Sequence, residues 1–142
     1  MPDQTALQSI NLEVDALDWG PAETFYGPGA TVAGQRLVHL KILSDRRRDG
    51  GGIAWLVRFT PPPGKLIKII AVARSDVHIW TLKGGRTTKS GAPRRGCGSY
   101  GMNPAGKPHS AFIGSETEAL VVYTGEPDVV RGLELVDRAE PA

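Results

Sequence analysis

Cysteine is almost absent from this 142-residue chain: Cys97 stands alone, so no internal disulfide can form. Nothing in it reads as a signal peptide or an amphipathic presequence, and no apolar run is long enough to cross a membrane. The expectation is a cytoplasmic protein with no membrane partner. Clustered charge is scarce too. The formal net charge is +2, and apart from Arg46-Arg47-Arg48 and Arg94-Arg95 the cations are scattered. Both clusters lie beside Asp, Gly or Pro in predicted turns, so they read as solvated loop tips and no nucleic-acid partner is expected. Helical periodicity is missing except over residues 4–10, and there is no internal repeat or low-complexity linker.

What the chain does have is punctuation. Eighteen glycines and eleven prolines separate short apolar stretches, a pattern of many short strands and tight turns. Strands are predicted over residues 10–14, 37–43, 53–60, 66–74, 77–82 and 119–123, with Pro61-Pro62-Pro63-Gly64 and Gly125-Glu126-Pro127 as stops. Residues 20–35 read as a loop and residues 128–142 as a surface tail with one short apolar segment. Alternation places Trp55, Val57 and Phe59 on one face, with Leu56 and Arg58 on the other. In the same way His39 and Lys41 share a face, and His78, Trp80 and Leu82 share another. The length fits one domain spanning 1–142, with its core at about 37–125. Eight to ten short strands at this spacing predict an all-β sandwich or closed barrel, which removes exposed edges and leaves a mouth for a small ligand.

One stretch carries most of the chemical information. Residues 98–112 read as a strand through Tyr100 and Met102, a turn at Pro104-Ala105-Gly106 and a second strand from His109. Pro104 presets φ for the turn, and Gly106 can take a positive φ. His109 is thereby fixed at the mouth of a strand. The spacing Gly98, Pro104, Gly106, His109 resembles the second motif of the cupin superfamily. The Leu-Val-Arg-Phe strand at 56–59 with its Pro-rich turn is similar to small single-domain cupins of the acetylacetone-dioxygenase type and to the cupin domain of the anti-sigma factor ChrR. So is the run Trp80-Thr81-Leu82-Lys83-Gly84. The resemblance implies an antiparallel jelly-roll β-barrel, with His109 at a position that is usually a metal ligand.

The first motif of that family is degraded here. Anchored on Gly85, its glutamate position falls on His78, and its two histidine positions fall on Val72 and Arg74, or on Ala71 and Ala73. The asparagine expected four residues after His109 is Ile113. A facial site for Fe(II) normally takes three protein ligands, and His78 with His109 gives two. His39 would be the third in a His-only site for Fe, Ni, Mn or Zn. The favoured reading has no metal or other cofactor: His109 and His78 act as acid and base, and Arg74 stabilises developing negative charge. Trp80, Tyr100, Met102, Arg58 and Lys41 are the expected substrate-binding residues. The reaction is expected to be proton transfer on a small organic molecule, of isomerase, cyclase, dehydratase or lyase type. The alternatives are a metal-dependent dioxygenase or lyase and a non-enzymatic ligand binder. Strand 66–73, Trp19 and Trp55 together offer more apolar surface than one small barrel needs, so a homodimer is expected.

Overall fold

A computed structural model describes residues 8–139. In chain order the strands are β1 (Gly20–Pro21), β2 (Thr31–Val32), β3 (Gln35–Arg36), β4 (Val38–Arg46), β5 (Gly52–Phe59), β6 (Lys65–Val72), β7 (Val77–Lys83), β8 (Arg86–Thr87), β9 (Pro93–Arg95), β10 (Tyr100–Asn103), β11 (Pro108–Ile113), β12 (Thr117–Tyr123) and β13 (Val129–Asp137), with one helical turn, α1 (Glu23–Tyr26), after β1. Two antiparallel sheets face each other as a jelly-roll barrel. One has the order β1-β4-β5-β12-β7-β10 and the other β13-β6-β11-β8-β9, while β2 and β3 pair separately.

The barrel follows from period-two alternation. On β5, Ile53, Trp55, Val57 and Phe59 are buried, and the residues between them face outward half-covered. On β12 the inward set is Thr117, Ala119, Val121 and Tyr123. Ile67, Ile69 and Ala71 of β6 oppose them from the second sheet. Burying these side chains against one another is what holds the sheets together. Trp55 sits at the centre, 5.0 Å from the Tyr123 ring and 4.8 Å from that of Phe25.

Several expectations are corrected. Residues 10–13 form no strand and lead into a single 3₁₀ turn at Val14–Ala16. The helix expected over 4–10 falls partly outside the described residues, and Gln8–Ile10 are not helical. The supposed C-terminal tail is the nine-residue β13, paired along β6 from Val72 to Lys65. Trp55 belongs to the core. Trp19 lies on the outer face of the larger sheet, with the Arg58 guanidinium 4.4 Å and Lys41 Nζ 4.8 Å from its ring. Neither tryptophan is a free apolar surface.

Candidate functional site

The turn that the sequence marked out does present His109. Gly106 has φ 89°, and Lys107 N–H donates to Pro104 O at 3.1 Å. The turn is tied to the segment after β6 by three further bonds: Gly106 N–H to Ala73 O at 2.7 Å, Ala73 N–H to Lys107 O at 3.0 Å, and Ala105 N–H to Asp76 Oδ1 at 2.9 Å. β11 starts immediately afterwards, and its inward set is His109, Ala111 and Ile113.

His109 opens onto a cavity of about 80 Å³ inside the barrel, walled mainly by aliphatic side chains of both sheets. Its imidazole meets Asp128 at the start of β13, Nε2 to Oδ2 at 2.7 Å. β6 lies between the two strands, with Ala71 paired to His109 on one side and to Val130 on the other. A methyl at that position leaves the space through which the two polar side chains meet. The pair is well covered: the His109 side chain is 16% exposed and that of Asp128 8%. Asp128 Oδ1 is buried with no hydrogen-bond partner among the described residues. An acceptor in that state, on a cavity wall, is open to a donor from a ligand.

Five more polar side chains line the same space: Tyr26, Thr81, Arg86, Thr117 and Tyr123. Tyr26 and Tyr123 are buried phenols. Desolvation raises both pKa values, and the nearby Asp128 charge acts in the same direction, so both stay protonated and keep an O–H to donate. Arg86 of β8 is half-buried, and its pKa is lowered chiefly by desolvation and then by the charge on Arg95. Tyr26, Tyr123, Arg86 and Asp128 did not stand among the residues expected from sequence.

The remaining expected residues lie elsewhere. β7 turns Val77, Ile79 and Thr81 inward, so His78, Trp80 and Leu82 are on the outer face. His78 Nδ1 contacts the Tyr100 hydroxyl at 2.6 Å outside the barrel, and the two rings stack. His78 and His109 therefore share no interior space. Arg74 is an exposed loop residue that donates through Nε to Pro127 O at 2.7 Å, while Ser75 Oγ donates to Glu126 O at 2.9 Å. Together they pin the segment that carries Asp128. His39, Lys41 and Arg58 are on the outer face, held by Thr60, by the Val14 carbonyl and by Glu118 respectively. Tyr100 and Met102 edge a second, smaller cavity of about 50 Å³, which shares Ile79, Thr81 and Arg86 with the first.

The donor set does not fit the three-ligand metal centre implied by the sequence resemblance. His109 and Asp128 are the metal-capable side chains on the cavity wall, and they already engage each other. Among the described residues no group of three or more His, Cys, Asp or Glu converges.

Solved structures share this architecture. A protein of unknown function with a cupin-like fold from Ralstonia eutropha superposes with TM-score 0.62 at 19% identity, covering 92% of this chain and 79% of its own. The chain has the cupin fold. Other cupin-fold neighbours are enzymes. The polyketide cyclase RemF from Streptomyces resistomycificus gives TM-score 0.56 at 19% identity, covering 94% of this chain and 89% of its own. The acetylacetone dioxygenase from Acinetobacter johnsonii gives 0.55 at 13%, with 82% and 72% covered. No family model matches the chain, and no curated protein matches its sequence.

Proposed function

We propose that this cupin-fold protein is an enzyme that moves protons on a small organic molecule in the barrel cavity, with His109 as the base and Asp128 as the residue that orients it. The observation that carries the reading is the 2.7 Å His109–Asp128 contact, part-buried at the wall of a mainly apolar cavity. A carboxylate only accepts, so Nε2–H is the donor and the neutral imidazole keeps its lone pair on Nδ1. A base so held, on a mainly apolar cavity wall, can take a proton from carbon next to a carbonyl. The electron pair of the broken C–H bond moves to the carbonyl oxygen. Tyr26 and Tyr123, kept as phenols, are the donors available to that oxygen. The imidazolium then returns the proton to the same or a neighbouring carbon, which completes an exchange or an isomerisation.

A metal-dependent dioxygenase reading would need a third donor beside His109 and Asp128, and among the described residues no group of three or more His, Cys, Asp or Glu converges. A pure ligand binder would bind without turnover. The distinguishing experiment is α-proton exchange of 2-oxobutyrate in D₂O, followed by NMR, with and without EDTA. Catalysed exchange is expected that survives chelation and drops about 10²-fold or more in His109→Ala. Exchange that H109A leaves unchanged, or that EDTA abolishes, would contradict the proposal. We further propose a homodimer formed through the outer face of the larger sheet.

A further inference from the structure

Arg86 and Arg95 are direct cross-strand partners in the β8–β9 ladder. Like charges placed opposite one another in a sheet destabilise it. A half-buried guanidinium is also costly unless something pairs with it. Yet among the described residues neither arginine forms a salt bridge or a side-chain hydrogen bond, although Arg47, Arg58 and Arg74 each find a carboxylate. The Arg95 charge adds to desolvation in lowering the Arg86 pKa, and the Asp128 charge, acting the other way, does not offset them.

The location gives this unmatched pair a use. Arg86 belongs to the wall shared by the two cavities, between the apolar interior that holds His109 and the outer vestibule edged by Arg95, Ser99 and Asn103. The Asp128 carboxylate is engaged by His109 and makes no hydrogen bond to Arg86. On the inner side Val57, Ile69 and Ile79 offer contact to a short hydrocarbon body.

We propose that Arg86, with Arg95 adding to its field, is the carboxylate subsite of this cavity, and that the ligand is a small monocarboxylate with a short apolar body directed toward His109. A planar guanidinium can grip a carboxylate through two parallel N–H donors, and an anion there relieves the repulsion across the ladder. The inference rests on the proton-transfer reading for the identity of the reacting end, but its test needs no turnover.

Isobutyrate and its neutral near-isostere isobutyramide are the probes, titrated into the full chain and followed by ¹H–¹⁵N NMR and thermal shift. Isobutyrate is expected to bind at least about tenfold more tightly than the amide. Arg86→Gln should remove that preference while melting at or above the wild-type temperature, because the like-charge contact is gone. Should R86Q fail to fold, the exposed Arg95→Gln is expected to weaken isobutyrate about threefold and leave the amide unaffected. Equal binding of acid and amide, a preference that survives R86Q, or inorganic phosphate competing more tightly than isobutyrate would overturn the assignment. If H109A loses exchange while acid and amide bind alike, this inference fails alone. If the acid binds selectively while exchange ignores H109A, the subsite stands and the catalytic reading fails.

Discussion

At the residue scale the three histidines have separate fates. His109 is covered and faces a carboxylate, His78 stacks outside on Tyr100, and His39 contacts Thr60 Oγ1 at 2.9 Å on the outer face. Desolvation, followed by the charges on Arg36 and Arg58, holds the His39 pKa below the ordinary imidazole value. The unfolded chain therefore takes up this proton at higher pH than the folded one. Stability from a neutral His39 is present above the unfolded value of about 6.5 and is lost as the pH falls from there through the lowered folded value. Urea unfolding at pH 7.5 and pH 5 is expected to show wild type losing more stability than His39→Gln over that interval. An equal loss in both would contradict the assignment.

Strands and turns explain what could be read in the sequence and what could not. His109 was legible because its presentation is local: Pro104 and Gly106 set a turn whose demands fall within a few residues. Asp128 was not, because it depends on β13. There the alternation breaks at the register shift between Val130 and Gly132, and the strand reads as a tail. Arg86 sits in a two-residue strand and Tyr26 in a single helical turn within a Gly/Pro-rich stretch, both too short for any periodic signal. For β7 the alternation was right and the choice of side was wrong. His78, Trp80 and Leu82 do share a face, but that face points outward, and the smaller Val77, Ile79 and Thr81 fill the barrel. Period two fixes which residues go together and is silent about which set is inside. The turn also yields a prediction. Gly106 needs its left-handed backbone, and no atom lies near the place a Cβ would occupy, so Gly106→Ala should cost about 1–2 kcal/mol through strain alone. Gly132→Ala, equally open but without a positive φ, should change stability by no more than about 0.5 kcal/mol. Denaturant midpoints compare the two, and equal effects would contradict this account of the turn.

Taken whole, the molecule has a mainly apolar interior and an outer sheet face with exposed apolar side chains. Trp80 is 49% exposed, and Leu82 on the same strand and Tyr100, Met102 and Val122 on the neighbouring strands lie exposed around it. A patch of this kind on an outer sheet face suits an isologous contact with a second copy. Light scattering at micromolar concentration is expected to give a dimer for wild type and a monomer for Trp80→Asp. A monomeric wild type would remove this part of the account. Among the described residues no helix is long and apolar enough to cross a membrane.

The chemistry rests on the state of one imidazole, and NMR reads that state directly. Long-range ¹H–¹⁵N correlation at neutral pH is expected to show the His109 ring protonated on Nε2, with a lone pair on Nδ1, and Asp128→Asn should disturb that assignment. A His109 ring averaging between its two tautomers, with shifts that D128N leaves in place, would mean that Asp128 does not hold it as a base.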